Sequence, residues 1–166
     1  MDEIDRLLLE ILQQDATLPI AQMGERVGLS ATPCWKRIQK LEAAGVITRR
    51  VAVVDPDRVG VGLSVLVSIE AGEHTPDWLH RFSSAVTGMP EVMEVYRMAG
   101  DIDYMLRVAV ADMAEYDAFY KRLIAIAPMK NVTSRFAMER MKHTTAYPLH
   151  PRAFRDRRAV DTGGEE

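Results

Sequence analysis

The chain has 166 residues and a formal net charge of -3, with 48% hydrophobic and 27% charged residues. That composition can bury a core and excludes a disordered chain, while the total charge gives no sign of a nucleic-acid partner. A single cysteine, Cys34, excludes an internal disulfide; no apolar run reaches the ~18 residues of a membrane span, and the acidic start Met1-Asp2-Glu3-Ile4-Asp5 is unlike a secretion signal, so a cytoplasmic protein without a membrane partner is expected.

Ile4, Leu7, Leu8, Ile11 and Leu12 recur at helical spacing, with Asp2 placed as a cap. Asp15–Pro19 breaks the pattern, and Ile20, Met23 and Val27 mark a short second helix. In Gly28-Leu29-Ser30, glycine suits a helix end that needs φ > 0, leucine can plug a core, and serine can cap the next helix. Pro33 fits the first turn of that third helix, which Gly45 stops. Cys34, Ile38 and Leu41 face inward on it, and Thr32, Trp35, Lys36, Gln39 and Lys40 face away.

Two short helices joined by a tight turn, the second with an exposed basic face, form a helix-turn-helix. From residue 20 to residue 54 the bases Arg26, Lys36, Arg37, Lys40, Arg49 and Arg50 face only the acids Glu25 and Glu42, a local basic surface on an acidic chain. Val46–Val54 alternates in part and is expected as a two-stranded wing. Residues 1–54 then form a winged helix-turn-helix domain for double-stranded DNA, with Ser30, Thr32, Pro33, Trp35, Lys36, Arg37, Lys40, Arg49 and Arg50 as the contact set. Two of these have bland alternatives: Trp35 packed under the wing, and Arg37 bracing the fold through an ion pair.

Residues 55–62 hold a proline, two glycines and two aspartates and read as a linker. Beyond it, Leu63–Ala71 alternates as a strand; Trp78, Leu79, Phe82, Ala85 and Val86 give a helix; Val92–Met98 and Tyr104–Val110 give strands around a turn. Met113, Tyr116, Phe119, Tyr120, Leu123 and Ile124 give a further helix, and Val132–Met141 a last strand. The order βαββαβ is a ferredoxin-like antiparallel sheet with helices on one face, over residues 63–148. Its uncovered face, expected to carry Val and Met, calls for a homodimer packed sheet against sheet. The fold class is thus α+β, and residues 149–166 read as a disordered tail. No cofactor or metal is expected: His74, His80, His143 and His150 form no short motif, and no Gly-rich phosphate loop is present. A small ferredoxin-like enzyme and a protein-binding adaptor remain as alternative functions.

Asp5–Asp15, Val27-Gly28-Leu29-Ser30 and Cys34–Ile47, with its Leu41-Glu42-x-x-Gly45-Val46-Ile47 block, resemble the Lrp/AsnC family of transcription regulators. The resemblance covers about Asp2 to Pro148. It implies a DNA-binding regulator whose second domain senses a small molecule between subunits, and dimers that assemble to tetramers or octamers. Met98-Ala99-Gly100-Asp101-Ile102-Asp103-Tyr104 resembles the family's effector signature. There the loop's backbone N–H groups can receive a carboxylate and Asp103 an ammonium, the two ends of an amino acid. Thr133 and Ser134 align with a hydroxyl-bearing position on the last strand, so the expected effector set is Met98, Ala99, Gly100, Asp101, Asp103, Tyr104, Thr133 and Ser134. Thr32–Arg37, Met98–Gly100, Ala111–Met113 and Val132–Ser134 are similar to members that respond to cysteine, which implies L-cysteine as the effector.

Overall fold

The computed structural model describes residues 1–150. They divide into two units, Met1–Ala52 together with the described residues from Lys142 on, and Val53–Met141.

The first unit contains α1 (Glu3–Gln14), α2 (Ile20–Val27) and α3 (Ala31–Ala43). Asp2 caps α1 by accepting from Asp5 N–H. Gly28 ends α2 in the left-handed conformation with φ 70. The turn is tight because Leu29 N–H bonds to Gly24 O at 2.8 Å, and a Cβ at Gly24 would meet Leu29 O at 2.5 Å. Ser30 sits at the N-cap of α3 but makes no side-chain cap bond, contrary to expectation. Leu8, Met23, Cys34 and Ile38 form the core, and burial pushes the Cys34 thiol pKa up, so it is a packing residue.

One sequence expectation fails in this unit. No strand forms among residues 46–62, so the wing is absent from the single chain. Val46 and Ile47 bond to Leu41 O, but Val51, Val53 and Val54 are exposed. Alternation supplies a strand's faces and not its hydrogen-bonding neighbour, and this segment has none among the described residues. The chain after the sheet falls within the domain expected over 63–148, and its packing is a separate matter. Residues from Lys142 on group with the helices. Tyr147 N–H donates to Gln13 Oε1 at 2.7 Å, Gln13 Nε2 donates to Tyr147 O at 3.2 Å, and Leu149 packs with Leu9, Leu41 and Ile47. The tail beyond residue 150 lies outside the described residues.

The second unit runs β1 (Leu63–Ala71), α4 (Pro76–Thr87), β2 (Val92–Arg97), β3 (Tyr104–Val110), α5 (Met113–Ile124) and β4 (Met129–Phe136). The sheet order is β2-β3-β1-β4, with antiparallel neighbours throughout. The last strand, expected over 132–141, runs over Met129–Phe136 instead: Phe136 already pairs with Val65, close to the start of β1, and Ala137 N–H to Ser64 O at 2.9 Å leaves little of β1 for later residues to pair with.

Val65, Val67, Ile69 and Ala71 of β1 and Tyr104, Leu106, Val108 and Val110 of β3 face the helices and pack with Trp78, Phe82, Val86, Tyr116, Phe119 and Leu123. The other face is more polar than its expected Val and Met. The valines of β2 and β4 also pack toward the helices, and the open face carries Leu66, Met105 and Ala109 among Ser68, Arg107, Arg135, Glu94 and Tyr96. Arg135 Nη1 donates to Ser68 Oγ at 2.8 Å, and Arg107 Nη2 pairs with Glu94 Oε1 at 2.7 Å.

Trp78 joins the packing to the sheet's end. Its ring stacks on Phe82 at 4.9 Å and on Tyr104 at 5.8 Å, and Nε1 donates to Pro128 O at 2.7 Å. Trp78→Phe removes the N–H and part of the buried volume. It is expected to lower unfolding free energy by about 1–3 kcal/mol, measured by urea denaturation followed by circular dichroism.

Candidate DNA interface and effector loop

The outward face of α3 presents Thr32, Trp35, Lys36, Gln39 and Lys40, all exposed, with Trp35 at 50%. Trp35 is therefore not packed under a wing. Among the described residues Lys36, Lys40 and Arg49 make no ion pair, so their charges stand toward solvent or a polyanion. Pro33 lies half-buried in the first turn of α3, beside Ser30 at its N-cap.

Arg37 and Arg50 are placed differently. Arg37 Nη1 lies 2.7 Å from both Asp2 Oδ2 and Asp5 Oδ1. The other oxygens of these two carboxylates close the α1 capping box, each accepting the partner's backbone N–H at 3.0 Å. Arg37 thus fastens the start of α1 to α3, which is the bracing alternative rather than a free phosphate contact. Burial works against the Asp2 charge, but the Asp5 N–H and the Arg37 guanidinium outweigh it and hold the carboxyl below its ordinary pKa. Arg50 Nη2 reaches Glu42 Oε1 at 2.7 Å, tying the segment after α3 to its last turn. The Arg37 pairs were not legible in the sequence, because Asp2 and Asp5 lie more than thirty residues away and only the fold brings them together.

In the second unit, Met98, Ala99, Gly100 and Asp101 form an exposed loop between β2 and β3. Gly100 has φ 137, a conformation that requires glycine, and the loop is closed by Met98 N–H to Asp103 O at 2.8 Å. Asp103 is more engaged than expected. Its N–H bonds to Ile69 O at 2.9 Å, and its Oδ2 accepts Ala71 N–H at 2.8 Å, closing the end of β1. Oδ1 faces His74 Nδ1 at 3.9 Å.

Tyr104 does not line a pocket. It is 8% exposed and its ring stacks on Trp78 and meets Phe82 at a tilt, as part of the core. Ser134 faces the helices and hydrogen-bonds Tyr116 Oη, whose pKa burial pushes up. Its register partner is Val67, four positions along β1 from Ala71, or roughly 13 Å at about 3.3 Å per residue. Thr133 is on the opposite face beside Ser68. One chain therefore does not gather loop 98–103, Thr133 and Ser134 into a single site. Among the described residues no group of three or more His, Cys, Asp or Glu could hold a metal.

Comparison with known proteins finds two family models along the chain. Residues 1–42 match the AsnC-type helix-turn-helix domain and residues 64–147 the Lrp/AsnC ligand binding domain. The chain belongs to the Lrp/AsnC family. It is 49% identical over 150 residues to the DNA-binding transcriptional activator DecR of Escherichia coli K12, covering 90% of this chain and 99% of that protein. It is 47% identical over 149 residues to the glutamate uptake regulatory protein of Zymomonas mobilis, covering 90% and 91%. Among solved structures, an AsnC family transcriptional regulator from Agrobacterium tumefaciens superposes with TM-score 0.87 at 56% identity, covering 90% of this chain and 97% of that one. A transcriptional regulator from Neisseria meningitidis, solved as an L-Met complex, superposes with TM-score 0.86 at 30% identity and the same coverage. These Lrp/AsnC relatives carry the names of transcriptional regulators, not of enzymes or adaptors.

The Arg37 clamp makes a stability prediction with a defined pH dependence. Arg37→Gln is expected to lower the unfolding free energy of the full chain by about 1–2 kcal/mol at pH 7, the range for a half-exposed network of charged hydrogen bonds. Because Asp2 has a lowered pKa in the folded state, its contribution is present above about pH 4, near the unfolded carboxylate value, and is lost as pH falls through the folded one. Unfolding curves of the wild type and variant should converge from pH 5 to pH 3.

Proposed function

We propose that the chain is a sequence-specific DNA-binding regulator that acts as a homodimer or larger assembly, with a small amino acid binding near the 98–103 loop between subunits. The single observation that carries the DNA half is the outward face of α3, where Thr32, Trp35, Lys36 and Lys40 are exposed and, among the described residues, the lysines and the following Arg49 have no internal ion pair. A helix with such a face fits the major groove, with the cations meeting flanking phosphates. Ser30 and Pro33 at the start of α3, and Arg50 beside its end, complete the interface.

The assembly half rests on the sheet. Its helices cover one face, leaving Leu66 and Tyr96 exposed on the other. A second copy packed there would satisfy Leu66, Met105 and Ala109, with the Ser68–Arg135 and Arg107–Glu94 groups as a polar component of the interface. Dimers of this kind then assemble to tetramers or octamers.

For the effector we favour L-cysteine ahead of alanine, serine and leucine. The glycine-bearing loop offers backbone donors to a carboxylate, and Asp103 Oδ1, which is not committed to Ala71, can take an ammonium. Ala99 leaves little polar room. The Neisseria relative's L-Met complex supports an amino-acid ligand, and the subgroup resemblance selects cysteine. Thr133, on the open face, is better placed than Ser134 to meet a ligand held between subunits.

Four measurements test this reading. Lys36→Ala with Arg49→Ala should weaken binding to every duplex and reduce the slope of log affinity against log salt by about two per protomer, in mobility-shift titrations. Unchanged affinity and slope would reject the interface. Titration calorimetry with a panel of amino acids should rank cysteine above arginine and lysine; preferred binding of a large aromatic or cationic amino acid would reject the ligand. Asp103→Asn retains an acceptor for Ala71 N–H and removes the charge, and should cut effector affinity about tenfold or more, the loss of a charged hydrogen bond. Light scattering that finds a monomer at micromolar concentration would reject the assembly.

A further inference from the structure

On the DNA-binding reading, we infer that Gln39 is a base-reading residue that selects adenine in the major groove, and that Glu42 is its positioning residue. Gln39 is on the centre line of the exposed face of α3. Seven residues span about 1.9 helical turns, so Gln39 lies under Thr32, with Trp35 and Lys36 flanking it one turn above. The buried residues of the helix, Cys34, Ile38 and Leu41, occupy the opposite side.

The Gln39 side chain has a defined orientation. Its Nε2 donates to Glu42 Oε2 at 2.8 Å. A carboxylate only accepts, so the NH2 end must face Glu42 and the amide orientation is fixed by chemistry. Glu42 is itself held, because its other oxygen takes Arg50 Nη2 at 2.7 Å. One carboxylate therefore orients a glutamine on the helix and an arginine on the following segment. Arg50 keeps further N–H donors for a neighbouring phosphate.

The remaining hydrogen-bonding capacity of Gln39 is its carbonyl oxygen and one N–H. That pattern matches one base. Adenine shows an N7 acceptor and an N6 donor in the major groove; guanine shows two acceptors, cytosine a lone donor, and thymine a lone acceptor beside a methyl group. A glutamine free to swing would lose rotamer entropy on meeting a base, and a glutamine already held loses less. The simpler account, a surface i,i+3 pair that only steadies the helix, would affect stability and not base preference.

The test is selection from a randomised duplex pool by the full chain, with affinities then measured on the selected site and its single-base variants at one salt concentration. The wild type is expected to enrich an adenine at one symmetric position of each half-site, and replacing it should cost about 10-fold in affinity, within the range of one bidentate base contact. Gln39→Ala should reduce that penalty to less than about 2-fold while keeping preferences elsewhere. Glu42→Ala should give an intermediate penalty at the same position, with unchanged helicity. An identical motif and penalty from Gln39→Ala would overturn the inference while leaving the DNA interface standing, and so would an equal affinity loss on every sequence. A wild-type penalty retained in Glu42→Ala would overturn the positioning role. A wild type that enriches no motif would overturn the DNA-binding reading together with this one.

Discussion

The N-terminal unit depends on one guanidinium between two carboxylates. Arg37 meets Asp2 and Asp5 with the oxygens that the α1 capping box leaves over, so helix initiation and interhelical attachment share the same pair of side chains. Asp5 is among the few buried charged residues, and an unpaired carboxylate there would be strongly unfavourable. Arg37 immediately precedes Ile38 on α3, so the clamp acts beside the buried Cys34, Ile38 and Leu41 that set the helix's inward side. The outward alignment of Thr32, Trp35, Lys36 and Gln39 follows from that inward side.

The sheet unit is organised around its end rather than its middle. Pro128 O accepts both Gly72 N–H and Trp78 Nε1, and Gly72 is required there because a Cβ would meet that oxygen at 2.9 Å. On the adjacent strand Asp103 closes β1 through Ala71. The loop carrying Gly100 is thus short, glycine-dependent and fastened at its base, a construction that holds backbone N–H groups in place without a large side chain to fill the space above them. Asp103 has a structural task as well as the proposed ligand contact, which is why the asparagine variant is more informative than alanine.

Much of this was legible in sequence. The apolar spacing of Leu8, Met23, Cys34 and Ile38 marked the helices, and the alternation of Val65, Val67 and Ile69 marked β1, because periodicity reports directly on which face is buried. Gly28 announced the turn through its backbone freedom. What escaped were features that depend on distant partners. Val51 and Val53 alternate like a strand but have no pairing neighbour among the described residues. Tyr104 looked like a site residue by its position in a motif, yet its ring completes an aromatic stack with residues of α4. Ser134 was expected at a ligand and instead meets Tyr116 across the sheet–helix interface. Gln39 and Glu42 were ordinary surface letters until the helix set them three positions apart on one side, with Arg50 folded back against them.

The docking of Tyr147 and Leu149 beside α1 makes the helical unit discontinuous in the chain. Leu9 and Leu41 are covered by Ile47 and Leu149, and the second of these emerges during vectorial synthesis only after the whole of Val53–Met141. The sheet, whose strands are contiguous, has all its pieces before the helical unit has its last one. The last apolar contact of the helical unit is thereby delayed until the sheet has been made, so a nascent chain interrupted between the two has the Leu8–Ile38 core but lacks the Leu149 contact on Leu9 and Leu41.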